Sequence, residues 1–275
     1  MAHLHRPFRS ISALARNRSR RQKNRRFPTI IHLHFSKLIR DLTIVQHRIG
    51  SWSAADIIGI ETQMHTSDDT DDATLEFYAH NAPVYTASGA GGVSRHLHKF
   101  LDLLPEGAKI LDLGCGGGRD SEAMLRQGFD VTPTDGVKEV AAKAEQRLGV
   151  AVRVMRFNEL DYVEEFDAVW ANASLLHVPR LALPAILAAV RAALKPGGLH
   201  FASYKAGGIE GRDRFGRYFN YLSLEQMADI YRQSGSWNII EITDYIGGGY
   251  EGGEGPWVAM TASKPNPDTT TNRPA

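Results

Sequence analysis

The sequence predicts an α/β fold, a doubly wound sheet of seven strands with helices on both faces. Three observations lead there. From residue 108 onward, short apolar runs alternate with runs of good helix formers, the pattern of strands joined by helical crossovers. Several helical runs stop at a glycine, the residue that tolerates the left-handed turn at a helix end. The first strand–helix turn holds four glycines in the five residues 114–118, and open sheets of this kind bind ligands beyond the carboxyl ends of their strands.

The elements follow in order. "TLEFYAHNAPVY" (74–85) reads as a helix, with Tyr78 and Tyr85 seven residues apart on one face. "AKILDLG" (108–114) is a buried strand. "RDSEAMLRQG" (119–128) is a helix stopped by Gly128, and "FDVTPTD" (129–135) is the next strand. "VKEVAAKAEQRLG" (137–149) is a helix with glycine at its end. "VAVRVMRF" (150–157) and "FDAVWANA" (166–173) are the third and fourth strands. Residues 180–198 are a helix ended by Pro196-Gly197-Gly198, and 199–205 a fifth strand. Ser223 and Gln226 form a capping box that opens a helix over 223–235. Residues 237–243 and 257–262 supply the last two strands, with "GGGYEGGEG" (247–255) as a flexible connection.

Charge divides the chain. Residues 1–63 carry twelve Lys+Arg and three acids, a surplus of nine, while residues 64–275 carry a net charge of −8. The overall charge of +1 lacks the basic surplus of a nucleic-acid binder. Residues 1–63 show no helix or strand period and are expected to stand outside the fold. Three origins are open: upstream sequence before a start at Met64, a targeting segment, or a basic tail for an acidic partner. Residues 64–263 are the folded body, and the Pro- and Thr-rich residues 264–275 a disordered tail. A lone cysteine, Cys115, favours a reducing, cytoplasmic compartment. No apolar run reaches the ~18 residues of a membrane span.

The glycine loop reads Asp112-Leu113-Gly114-Cys115-Gly116-Gly117-Gly118. A dinucleotide loop, G-x-G-x-x-G, would need glycine at 119, where Arg119 stands. With "ILDLGCGGGRDS", Asp135 about twenty residues on, "FDAVWANASLLHVP" and "LKPGGLHFASYK" in that order, the chain resembles the class I S-adenosylmethionine-dependent methyltransferases, of the small bacterial type 11 and type 25 kind. "GCGGGRDS…SLLHVP…GRYF" is similar to a subgroup labelled tellurite-resistance-like. The resemblance implies a Rossmann-like sheet, mostly parallel with the last strand antiparallel. It also implies S-adenosyl-L-methionine as cofactor and in-line methyl transfer to a small-molecule acceptor.

Residue by residue, the resemblance places Gly114, Gly116 and Gly118 against the methionine part of the cofactor. Asp112 lies near its ammonium and Asp135 accepts from both ribose hydroxyls. Phe157 and Asn158 hold the adenine, with Glu159 as an alternative to Asn158. Asn172, Ala173 and Ser174 line the sulfonium side. Arg119 either pairs with the cofactor carboxylate or is a solvated residue at a helix start.

The acceptor side has open alternatives. His177 is either a general base or a structural histidine. Tyr78 and Tyr85 either cover the site or pack. Lys205, Arg212, Arg214 and Arg217 either bind an anionic acceptor or form a solvated loop. No histidine spacing suggests a metal. Alternatives to a small-molecule methyltransferase are a non-catalytic cofactor-binding protein and a nucleic-acid methyltransferase using the basic arm. No N/D-P-P-Y/F/W motif follows the fourth strand, which speaks against nucleic acid as a partner.

Overall fold

The computed structural model describes residues 71–88, 93–250 and 252–267. The boundary expected at residue 64 and the basic arm lie outside the described residues. Seven strands form one sheet in the order β3-β2-β1-β4-β5-β9-β8. Strands β1 (Lys109–Leu113), β2 (Asp130–Asp135), β3 (Arg153–Val154), β4 (Phe166–Ala171) and β5 (Leu194–Lys205) pair in parallel. Strand β9 (Glu254–Ser263) is antiparallel to both neighbours, β5 and β8 (Asn238–Gly248). The expected class and direction of the last strand are as observed.

The central strands β1 and β4 are largely apolar and buried because both faces are covered. Alternate side chains serve different cores. Leu111 and Leu113 of β1, with Val169 and Ala171 of β4, enter the larger cluster. Ile110, Ala168 and Trp170 enter the other, where Trp170 stacks on Phe201 at 4.2 Å. Asp112 shares the face of Ile110 but sits at the carboxyl end, where the core gives way to the cleft.

Helix α1 (Asp72–Ala87) is capped by the Asp71 carboxylate, which accepts from the Thr74 amide at 2.8 Å. Helix α3 (Arg119–Arg126) leaves the glycine loop, and α4 (Lys138–Leu148) ends at Gly149, whose φ of 68° is the left-handed value expected at a stop. Helix α5 (Leu183–Ala193) follows β4, and α6 (Leu224–Gln233) has the Ser223–Gln226 capping box read from sequence.

Four boundaries differ from expectation. Strand β3 is two residues rather than eight, because only the end of β2 is available to pair with it. Helix α5 stops at Ala193, and Leu194–Gly198 already belong to β5, with Leu194 paired to Phe166. The glycines at 247–255 continue β8 and β9 on both sides, so the connection between the strands is only a tight turn. The segment between β5 and α6 is a small hairpin, β6 (Gly211–Arg212) with β7 (Tyr218–Phe219). The short helix α2 (Leu97–Leu101) gave no signal in the sequence reading, because its five residues are too few to show a period. Among the described residues, no helix is long and apolar enough to cross a membrane.

Candidate cofactor and acceptor site

The loop from β1 to α3 turns back over the sheet edge by bonding to its neighbour. The amides of Gly114 and Cys115 both donate to the Thr134 carbonyl, at 3.0 and 2.8 Å. Gly114 has φ +83°, and a Cβ there would sit 2.5 Å from the Ser174 Cβ. Only glycine fits, and the bare backbone becomes part of the cleft wall. Gly116 serves differently: its amide donates to an Asp135 oxygen at 3.0 Å. Gly118, with φ +76°, faces Leu148 and Ala144 and lets α3 approach α4. Its contacts are packing contacts, away from the cleft.

Asp135 ends β2 with both oxygens engaged, one by Gly116 N–H and the other by Val137 N–H at 2.9 Å. Burial pushes its carboxyl up to about 6, and those two amides oppose the rise. Each oxygen keeps a lone pair toward a slot lined by Met155, Phe157, Val137 and Gly136. Asn158 is exposed and does not line that slot, and the Glu159 carboxylate accepts from the Arg156 amide at 2.7 Å. Phe157 is thus brought to the site and Asn158 is not.

A larger cavity of about 540 Å³, in the size range of small-molecule sites, adjoins the slot. Asp112, Arg119, Asn172, His177, Lys205 and Arg217 all reach it, and Tyr78, Tyr85 and Gly114 line both spaces. The loop after β4 is set by Ala173, whose φ is +54° and whose amide donates to Ser203 Oγ at 2.9 Å. Ser203 Oγ–H in turn donates to Asn172 Oδ1 at 2.8 Å. Ser174 Oγ–H donates to the Leu113 carbonyl at 2.6 Å, tying this loop to the glycine loop.

His177 is half-buried, and its two ring nitrogens have distinct partners. Nδ1 lies 2.6 Å from the Tyr218 carbonyl. A carbonyl can only accept, so Nδ1 carries the hydrogen and Nε2 is the acceptor. Nε2 receives the Tyr78 hydroxyl at 3.0 Å, and Arg217 Nη1–H donates to that same hydroxyl at 3.3 Å. Burial lowers the His177 imidazole to about 4, against the pull of the Tyr218 carbonyl. The ring is therefore neutral at pH 7.

Arg119 lines the cavity while its guanidinium is held by backbone carbonyls. Its Nη2–H donates to the carbonyls of Thr86, at 3.2 Å, and Ser88. It pins the end of α1 over the glycine loop. At the other end of α1, Arg212 pairs with Asp71 at 2.8 Å and the Tyr218 amide donates to Thr74 Oγ1 at 2.8 Å.

The four expected cations separate. Arg217 is 1% exposed and forks onto Asp213, with Nη2 and Nε at 2.6 and 2.9 Å from one oxygen. Desolvation would raise the Asp213 carboxyl, but this pairing holds it below its usual value. Five rings surround the Arg217 guanidinium at 4.9–5.8 Å: Phe77, Tyr78, Phe215, Phe219 and Tyr250. Lys205 Nζ lies 4.4 Å over the Phe219 ring, facing the cavity. Arg212 serves α1, and Arg214 is exposed against Phe215. Two of the four, Lys205 and Arg217, therefore reach the cleft. The sequence reading missed Tyr250, Phe219 and Asp120, which also line it. Asp120 is named in "GRDS", but nothing local distinguishes it from a helix-start acid.

A parallel sheet with one antiparallel strand, a glycine loop after β1 and an acid closing β2 define the class I S-adenosylmethionine-dependent methyltransferase fold. Residues 110–198 match the family model described as a methyltransferase domain. The ubiquinone biosynthesis O-methyltransferase of Xanthomonas axonopodis pv. citri is 41% identical over 108 residues, 37% of this chain and 44% of that protein. The chain thus spans less than half the length of the curated relatives it matches. A Methanosarcina mazei SAM-dependent methyltransferase superposes with a TM-score of 0.57 at 19% identity, covering 64% of this chain and 99% of that one. The Burkholderia thailandensis 1,6-didemethyltoxoflavin-N1-methyltransferase, with 1,6-didemethyltoxoflavin and S-adenosylhomocysteine bound, gives 0.52 at 23% identity over 79% and 93%. TehB from Haemophilus influenzae gives 0.52 at 18% over 68% and 67%.

Proposed function

We propose that the protein transfers a methyl group from S-adenosyl-L-methionine to a small-molecule acceptor by in-line displacement. The observation that carries this is the shared cleft: the glycine loop and Asp135 lie on one side of a space whose other side holds His177, Lys205 and Arg217. The names of the relatives, an O-methyltransferase and an N-methyltransferase acting on small molecules, support the class of acceptor.

The residues suit the cofactor on their own chemistry. Asp112 is a 2%-exposed carboxyl whose one described bond is from Ser121 Oγ–H at 2.6 Å, and a cationic ligand end would complete it. Gly114 presents bare backbone in the cleft wall. Asp135 offers two acceptor oxygens at the edge of a slot shaped for a flat group against Phe157. Bound there, S-adenosyl-L-methionine supplies a methyl group on a cationic sulfur, already activated for displacement.

The chain's own work is then to orient, exclude water and move a proton. Asn172 and Ser174 fix the loop beside the transfer point. Tyr78 and Tyr85, on α1, cover it. His177 Nε2, unprotonated, takes the acceptor's proton where the nucleophile carries one, the Tyr78 hydroxyl giving up that lone pair as the acceptor enters, while Nδ1–H stays on the Tyr218 carbonyl. Lys205 and Arg217 face the acceptor and favour one that is anionic or becomes so on losing its proton.

The test is to incubate the protein with methyl-labelled donor and fractionated cell extract. Label in a small-molecule fraction, lost in the absence of protein, is expected. Label confined to nucleic acid, or no transfer with any fraction, would contradict the proposal.

A further inference from the structure

Both ring nitrogens of His177 are held from one junction, where α1 meets the β6–β7 hairpin. Nδ1 meets the Tyr218 carbonyl of β7, and Nε2 meets the Tyr78 hydroxyl of α1. Each partner is held in turn by the other element. Arg217, next to Tyr218, donates to the Tyr78 hydroxyl. Thr74, one helical turn before Tyr78 on the same face, accepts the Tyr218 amide on Oγ1 at 2.8 Å.

The hairpin explains why Tyr218 can serve two elements. Asp213 N–H bonds the Arg217 carbonyl, so in the alternating antiparallel ladder the next pair, Arg212 with Tyr218, turns its main-chain groups outward. The Tyr218 amide and carbonyl thus lie along one edge, the first on Thr74 and the second on His177. The Asp71 carboxylate, paired with Arg212, takes the Thr74 hydroxyl hydrogen, which leaves the oxygen's lone pairs to the Tyr218 amide. The turn that carries His177 has separate support. Asn220, fully buried, donates through Nδ2 to the Leu175 and Val178 carbonyls at 3.0 and 3.1 Å, and through its amide to the Leu176 carbonyl at 2.9 Å. Those bonds fix the main chain around His177 and leave the ring to its own two partners.

We propose that Thr74 is a positioning residue for His177: by holding the Tyr218 amide it keeps the Tyr218 carbonyl on Nδ1, and so keeps Nε2 bare for the acceptor's proton. This rests on the proposed function in taking His177 as the base.

The physical reason is the tautomer. A neutral imidazole carries one hydrogen, on either nitrogen, and Nε2 can receive a proton only when that hydrogen is on Nδ1. The Tyr78 hydroxyl does not decide between them, because it can donate to a bare Nε2 or accept from Nε2–H. The Tyr218 carbonyl decides, because it only accepts. When Nε2 gains the acceptor's proton the ring becomes cationic, and the same carbonyl still faces Nδ1–H. A base oriented from behind by a third group is the general arrangement. Thr74→Val keeps the side chain's shape, removes the acceptor, and leaves the Tyr218 N–H without its partner.

NMR of the full chain, isotope-labelled at the histidine ring nitrogens and recorded at neutral pH, reads the tautomer directly, with His177→Gln to assign the signal. Hydrogen exchange reports the Tyr218 amide in the same samples. Wild type and Thr74→Ser should hold Nδ1–H as the main form. Thr74→Val should lower the ratio of Nδ1–H to Nε2–H by about fivefold or more, the worth of one hydrogen bond, and speed exchange at Tyr218. Faster exchange at Tyr218 with the tautomer unmoved would make Thr74 a structural residue only and overturn the inference. Nε2–H as the main form in wild type would overturn it as well, and that result needs no variant to fold. A tautomer that follows Thr74 in a protein that methylates nothing supports the hold on the ring and fails the proposed function instead.

Discussion

Gly114→Ala tests how tightly the glycine loop is held against the loop after β4. The added Cβ would stand 2.5 Å from Ser174 Cβ and 3.2 Å from its Oγ, with the backbone at φ +83°. The left-handed backbone costs an alanine about 1–2 kcal/mol. Overpacking adds about 1–3 kcal/mol, and reduced freedom of the unfolded chain offsets about 0.4–1 kcal/mol. The net loss is about 1–4.5 kcal/mol, readable as a lower urea midpoint with unchanged slope. Ser174→Gly removes the obstacle but not the backbone strain, and forfeits the bond to the Leu113 carbonyl, worth about 1 kcal/mol. Combined, the two changes should cost about 1–3 kcal/mol less than their sum. Strict additivity would show that the two loops do not meet as described.

Three further outcomes follow from the same geometry. His200 is fully buried with Nδ1 on the Val169 carbonyl, and burial lowers it to about 4; the unfolded chain therefore binds more protons below its ordinary value near 6.5. Stability from this group is complete above about pH 6.5 and lost as pH falls toward 4, so wild type should lose about 2 kcal/mol more than His200→Gln between pH 7 and pH 5 in urea titrations. Arg217→Met strands Asp213 among aromatic rings and should cost about 3–5 kcal/mol, whereas Arg214→Ala should stay within about 0.5 kcal/mol, and equal losses on denaturation would undo the distinction drawn between them. His177→Ala should lower kcat about 10²–10⁴-fold with cofactor affinity retained. Tyr78→Phe, which removes the hydroxyl between His177 and Arg217, should shift the pH–rate profile, and an unmoved profile would show that hydroxyl to be a packing feature.

The central strands were legible because β1 and β4 are short apolar runs whose two faces are buried. The glycine loop was legible because close backbone approach leaves little choice of residue, and Asp135 because the resemblance marks the acid closing the second strand. Strand β3 was overread because apolar residues at 150–157 also serve a turn and the wall of the slot, which composition does not separate from a strand. The helix α5 boundary was misplaced because "LKPGG" resembles a helix stop, while Leu194 already pairs across to Phe166. Charge partners were illegible. Arg119 meets carbonyls some thirty residues back in α1, and Arg212 meets Asp71 across 141 residues. Arg217–Asp213 lie four apart, a spacing readable as a local pair, yet only the hairpin and its aromatic rings explain why a guanidinium is buried there. The tautomer of His177 depends on a carbonyl and a hydroxyl from distant elements, and no spacing encodes it.

The central claim is that the cleft recognises S-adenosylmethionine through the glycine loop and Asp135. Equilibrium binding of S-adenosylmethionine, S-adenosylhomocysteine and NAD to the full chain, in wild type and Asp135→Ala, tests it most directly. The two adenosyl ligands should bind wild type and NAD should not, and the variant should lose about 1.5–3 kcal/mol of affinity, the worth of hydrogen bonds to a charged acceptor. Equal affinity in wild type and variant would contradict the role given to Asp135, and NAD binding in place of the adenosyl ligands would contradict the whole account.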